Sequence, residues 1–309
     1  MIAQLRVFWI AIRPYAFPAS IMPALIGAAA AWYTGVPLNV IHLFLASLGV
    51  ALIHAAGNLV NDAYDYAKGI DRHVIPVSGA VVRGLITARQ ALKLATYCAI
   101  FGAGIGIYFV FLRGVLVAAI GLGGLLLAVC YTAPPLHLKY RGLGDLAILF
   151  AFGVGVAAGS WFVQTGRLTW TPVVWGFPQA MLVVGILHAN NWRDIGRDGE
   201  LGARSLAQRL GDRGSFLYYA VLTAGALLLA VLMIAASQVW AITPRMPWTC
   251  LLVFLAIPQT TGLIRSAYAR PTTGDPPPFV VLDAATAQLN LTFGLLFTAG
   301  LVLGRILGL

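Results

Sequence analysis

The stretch VIHLFLASLGVALIHAAGNLVNDAYD, residues 40–65, decides the fold. From Val40 to Asn61 it carries no formal charge, and about 20 such residues in a helix cross the hydrocarbon core of a bilayer. It ends in Asn58, Asn61, Asp62 and Asp65, with Asp71 a little beyond. Spacing of i, i+4 and i+7 puts Asn58, Asp62 and Asp65 on one helix face. The arrangement returns at a second apolar segment, 172–191, which leads into Asn190, Asn191, Arg193, Asp194 and Asp198. There Asn190, Asp194 and Asp198 stand at i, i+4 and i+8. Carboxylates at the edge of a membrane segment are costly to keep and mark function.

The remainder of the chain is equally apolar. Hydrophobic residues make up 60% of its 309 residues and charged ones only 10%, whereas a soluble domain is about a quarter charged. Mean hydropathy is +0.87. Nine segments are long enough to span, roughly 15–33, 40–60, 91–111, 114–131, 145–164, 172–191, 215–236, 247–265 and 286–307. One all-α membrane domain over 1–309 is therefore expected, with nine transmembrane helices. The two Asp clusters end spans two and six. That spacing predicts two four-helix units plus a ninth helix, with a site between the units.

Charge sets the expected orientation. With these spans, 16 of the 20 Lys and Arg fall on the side of the N-terminus. The positive-inside rule then makes that side cytoplasmic, in a cell inner (plasma) membrane. All ten Asp and Glu fall on the same side, which the rule does not require, so chemistry is expected there. The net charge of +10 does not indicate nucleic acid, because the basic residues are scattered over loops. Cys98, Cys130 and Cys250 lie in apolar segments without metal-ligand spacing and are expected in the core. Arg6, Arg13 and the following apolar run imitate a signal peptide. Pro18, Pro23 and the many later spans point instead to a retained first helix.

Oxygen-only ligands of this kind suit Mg²⁺, which keeps several waters and is bound by one or two carboxylates plus substrate phosphates. One cluster alone would read as helix-end acids paired with nearby Arg. Two on one face, at equivalent repeat positions, point to a diphosphate held through metal. Direct cations are also needed, and Lys68, Arg72, Arg83, Lys139, Arg193, Arg197 and Arg204 are near in sequence. Tyr131, in the loop that also carries His137 and Lys139, could order a substrate or stabilise a cation through its ring. His137 and His188 carry little weight as bases, and His42, His54 and His73 less.

These residues resemble the UbiA superfamily of intramembrane aromatic prenyltransferases. Asn61-Asp62-Ala-Tyr-Asp65 followed by Gly69-Ile-Asp71 is similar to its first signature, and Asp194-Ile-Gly-Arg-Asp198 to its second. Finer features resemble the 1,4-dihydroxy-2-naphthoate polyprenyltransferase branch. They include Ile12-Arg13-Pro14, Asn58, Val82-Arg83-Gly84, Tyr131-Thr-Ala-Pro-Pro, Lys139-Tyr140-Arg141-Gly142, Asn190-Asn191-Trp-Arg193-Asp194 and Gly202-Ala-Arg204-Ser205. The resemblance implies a Mg²⁺-dependent transfer of a polyprenyl chain from its diphosphate to the aromatic acceptor. In this branch the acceptor loses CO₂ and demethylmenaquinone forms. It implies Asn61, Asp62, Asp65, Asp71, Asp194 and Asp198 as metal ligands, and Asp62, Asp65, Asp194, Asp198, Lys139 and Tyr131 as the catalytic set. Arg13, Asn58, Asn61, Asp71, Arg72, Arg83, Asn190, Asn191, Arg193 and Arg204 would bind substrate. Asp145 and Asp283 stand where the branch tolerates other residues, and no catalytic role is assigned to them.

Three other readings compete with this one. CDP-alcohol phosphotransferases are also intramembrane and rich in Asp, but the spacing after Asp194 misses their signature. An ion-coupled transporter would place its acids near the bilayer midplane, whereas these lie at span ends. Within the superfamily, the acceptor could be another quinone-precursor acid, a homogentisate-like ring or a lipid glycerol.

Overall fold

A computed structural model describes residues 2–69, 74, 79–196, 205–240, 244–273 and 277–309. Every regular element among them is a helix. In chain order the longer ones are α1 (Ile2–Ile12), α2 (Pro18–Tyr33), α3 (Val40–Ala67), α4 (Ala88–Arg113) and α5 (Val115–Cys130). There follow α6 (Gly144–Thr165), α7 (Thr171–Arg193), α8 (Leu206–Val239), α9 (Trp248–Arg270) and α10 (Leu282–Leu307). Each of the nine expected segments falls on one of the helices α2–α10.

Seven of these helices, α3, α4 and α6–α10, are long and apolar enough to cross a membrane by themselves. The helical residues Arg6–Ala16 and α2 qualify only as a pair, bent by 55°. The bend follows from local chemistry. Arg13 takes a left-handed conformation (φ 53°), and Pro14 and Pro18 each open a new helical turn. Helix α5 has 16 residues. At 1.5 Å per residue it is about 24 Å long, short of the roughly 30 Å hydrocarbon core.

Capping boxes set two of the helix starts. Thr87 and Gln90 open α4, and Ser205 and Gln208 open α8, with reciprocal capping-box hydrogen bonds. In each, the hydroxyl satisfies an amide that has no partner inside the helix.

Helix α7 occupies the centre: two-thirds (67%) of its apolar window is buried, against 22% for α3 and α4, which turn large apolar side chains outward. Close approach around this centre depends on small residues. A Cβ on Gly27 of α2 would come within 2.3 Å of the Ala157 carbonyl of α6. A Cβ on Gly294 of α10 would come within 2.7 Å of Met22 on α2. The first and last apolar helices are thus in contact, and the bundle closes on itself. Closure brings the C-terminal ends of α3 and α7 to the same end of the bundle as the start of α10.

Candidate active site

At that end lies a cavity of about 150 Å³. The α1–α2 bend contributes Arg13 and Tyr15, and α3 contributes His54, Asn58 and Asn61. Tyr131 and Lys139 come from the connection between α5 and α6, Asn190 from α7, and Asp283 from α10. The two Asn/Asp helix ends, separated by more than a hundred residues, therefore meet at one cavity.

The face that α3 presents differs from the simple spacing rule. His54, Asn58 and Asn61, at i, i+4 and i+7, line the wall. Asp62 is one residue on, about 100° further round the helix. It is fully buried behind the wall, paired with the Arg13 guanidinium. The backbone of Gly79 closes over it, and a Cβ there would come within 1.6 Å of the carboxylate. Asp65, also buried, accepts from Lys139 Nζ at 2.6 Å and from the Tyr140 hydroxyl. Burial first, and then the Asp65 charge, raise the Tyr140 phenol well above its ordinary pKa, so it remains a donor. The Lys68 ammonium lies 3.7 Å from the centre of the Tyr140 ring.

The opposite wall is tied together by Arg193. Its guanidinium contacts Asp194 at 2.9 Å and Asp283 at 2.8 Å, and Asn190 Nδ2 donates to Asp283 at 3.2 Å. Asp283 thus joins the site although the family resemblance gave it no catalytic role. Its signal was available: it is a carboxylate in the first turn of the last apolar helix. Tyr15 was likewise missed, and His54 was given less weight than its place on the wall warrants. His54 sits seven residues before Asn61 on the cavity stripe of α3.

Other expected residues lie elsewhere. Asn191 is buried off the cavity wall, and Arg83 is exposed on the connection before α4. His137 contacts the Thr132 carbonyl at 2.8 Å and braces its own loop. His188 is fully buried, 3.6 Å from Asp145, and does not line the cavity. Asp71, Arg72, Arg197, Asp198 and Arg204 lie outside the described residues. Cys98, Cys130 and Cys250 are buried, as expected.

The donor set fits a hard divalent cation. Asn61 Oδ1 is a buried oxygen without a hydrogen-bond partner among the described residues, and the neighbouring ligands are carboxylates. No group of three His, Cys, Asp or Glu side chains gathers at a common point among the described residues. Such a cation would therefore share its coordination with substrate oxygens and water, as Mg²⁺ commonly does.

A helical membrane bundle with acids, amides and guanidinium groups around a cavity at one end of its helices defines a class: intramembrane proteins that handle a charged head group joined to an apolar body. The comparisons narrow this class. Residues 20–273 match the UbiA prenyltransferase family, and the chain belongs to that family. It is a prenyltransferase. It is 31% identical over 297 residues to UbiA prenyltransferase domain-containing protein 1 of Xenopus tropicalis, covering 95% of this chain and 81% of that one. It is also 31% identical over 303 residues to the 1,4-dihydroxy-2-naphthoate octaprenyltransferase of Bacillus subtilis (strain 168), covering 96% and 93%. Among solved structures, a UbiA homolog from Archaeoglobus fulgidus bound to GPP and Mg²⁺ shares the fold. Its TM-score is 0.61 at 17% identity, over 95% of this chain and 99% of that one.

Proposed function

We propose that this prenyltransferase moves a polyprenyl chain from its diphosphate to 1,4-dihydroxy-2-naphthoate, with loss of CO₂, to give demethylmenaquinone. The observation that carries the reading is the adjacency of two unlike cavities that share the wall residue Phe152. The polar one holds both Asn/Asp helix ends. Beside it, an apolar chamber of about 370 Å³ lies among α3, α4, α5 and α6. Phe152, on a π-helical stretch of α6 (Leu149–Gly155), lines both. A charged head with a long apolar tail fits that pair of spaces. The naphthoate acceptor draws support from the Bacillus subtilis relative, aligned over nearly the whole of both chains.

In this reading Asn61, Asp62, Asp65 and Asp194, with Asp71 and Asp198, hold Mg²⁺. The ion, when bound, supplies Lewis-acid charge to the diphosphate. Arg13, Lys139 and Arg193 stand beside those acids and offset the remaining phosphate charge. Asn58 and Asn190 offer amide contacts from the two walls, and Tyr131, which lines the same cavity, is assigned to the allylic end, where its ring would stabilise a cation. The apolar chamber keeps water from the cation left when diphosphate departs. Arg72 and Arg204, which the family resemblance implies, are the remaining proposed substrate contacts, whereas the positions of Asn191 and Arg83 off the cavity wall give them no part in it.

The topology belongs to the same proposal: nine crossings, N-terminus and site facing the cytoplasm, in the inner membrane. It is supported by the charge distribution, and it requires α2 and α5 to be the two shortest crossings. Reporter fusions after Thr34 and after Ala67 should report opposite sides, with the Ala67 fusion cytoplasmic. The function is tested with purified protein, Mg²⁺, a polyprenyl diphosphate and dihydroxynaphthoate, following diphosphate release and product mass. Product on a different acceptor moves the assignment within the family. No diphosphate release with any aromatic acceptor overturns it.

A further inference from the structure

One titratable side chain on the cavity wall has no part in holding diphosphate. His54 lies on α3, and its ring sits between Phe152, at 4.8 Å between centroids, and Phe17, at 5.8 Å. Its Nδ1 is 3.1 Å from Ser20 Oγ. The Ser20 hydroxyl donates its single proton to the Phe17 carbonyl at 3.0 Å. We take the shorter contact as the one that holds the proton, so that Oγ accepts from Nδ1–H and the ring lone pair is on Nε2. Nε2 makes no hydrogen bond among the described residues, and it is not sealed off as both ring nitrogens of His188 are. It retains access to the cavity that the ring lines.

The other ionisable groups on that wall are unsuited to accept a proton. Arg13 and Lys139 are cations with donors only, and the phenols of Tyr15 and Tyr131 are donors at neutral pH. Asp283 is already engaged by Arg193, Asn190 and the Ala284 amide.

We propose that His54 Nε2 is the base that takes the proton of the acceptor's ring hydroxyl. This rests on the reading that the acceptor is a hydroxylated aromatic acid. The released electron pair flows through the ring to the carboxyl-bearing carbon, which forms its bond to the allylic carbon. The allylic carbon–oxygen bond breaks, and diphosphate leaves with that pair. The resulting dienone loses CO₂, whose bonding pair restores the aromatic ring as a phenolate, and the phenolate recovers the proton from His54. Nothing is oxidised or reduced. Ser20 is a positioning residue that selects the tautomer.

The test uses the full chain, with His54→Gln, His54→Asn and Ser20→Ala compared with wild type on dihydroxynaphthoate and on ring-fluorinated analogues of more acidic hydroxyl. Loss of a general base costs about 10²–10⁴-fold in rate. Each folded His54 variant should lose kcat on that scale and keep its KM for prenyl diphosphate. The deficit should shrink as the acceptor hydroxyl becomes more acidic. Ser20→Ala should show a smaller deficit with the same trend. A role confined to tying α2 to α3 predicts a deficit independent of hydroxyl acidity, and that result overturns the proposal, as does a His54 variant within a few-fold of wild-type kcat. If the wild type prenylates no hydroxylated aromatic acid, the underlying reading falls and the proposal falls with it. If the wild type turns over and the variants match it, the proposal alone falls.

Discussion

At Asp62 a carboxylate with no exposed surface meets the Arg13 guanidinium on one side and the Gly79 backbone on another. Arg13 holds this position from a left-handed backbone (φ 53°), a conformation that costs about 1–3 kcal/mol outside glycine. The buried charge pair offsets that strain. Breaking such a pair from one side costs about 3–5 kcal/mol. Asp62→Ala should therefore lower stability as well as abolish turnover. The double change Arg13→Ala, Asp62→Ala should regain much of the stability, read by thermal unfolding in detergent, while turnover stays lost. Recovery of activity in the double variant would remove Asp62 from the site. Gly79→Ala makes the complementary test. Its Cβ must displace the Asp62 carboxylate, so turnover should fall about as far as in Asp62→Ala although no charge is altered.

Helix α3 shows how one element serves two environments. Its cavity stripe carries His54, Asn58 and Asn61, while Phe44 and Leu48 on its N-terminal half are exposed, as suits a lipid-facing surface. Its small residues also open the apolar chamber. Gly49 faces Ile105 of α4, and the chamber continues past Gly106 and Gly124 on α4 and α5. A Cβ on Gly106 or Gly124 meets nothing within 4 Å, whereas one on Gly102 meets Ile53 at 2.9 Å. Leucine at 106 or 124 should therefore fill the chamber without disturbing the bundle. If the prenyl tail lies there, Gly106→Leu and Gly124→Leu should shift preference towards shorter prenyl diphosphates by about tenfold, comparable to losing one or two buried methylenes. Competition between two chain lengths, resolved by mass spectrometry, measures the shift. An unchanged preference would place the tail elsewhere.

Across the molecule, the site exists only because the bundle closes, with α10 packed on α2 and α7 at the centre. Prenyl diphosphate touching both walls should stabilise the whole chain, by about 2.7 kcal/mol at a hundred times its Kd. The rise in unfolding temperature should require Mg²⁺, vanish with EDTA, and vanish in Asp194→Ala, because one wall alone holds too few oxygens. A full rise without divalent metal would contradict the proposed clamp.

The membrane class, the positions of α2–α10 and the two Asn/Asp helix ends were legible in the chain, because each rests on local composition and on helical period. The resemblance to the UbiA family rested on those same short stretches. What tertiary structure decided is which atoms the cavity meets. Spacing grouped Asn58, Asp62 and Asp65 on one face, but the rotation of α3 turns Asn61 and His54 inward and leaves Asp62 to Arg13 and Gly79. Asp283 joins the site only because α10 returns to α7. Helix rotation and closure are set by long-range packing of small residues such as Gly27 and Gly294 against distant helices, and a local pattern holds no record of which neighbour each will meet.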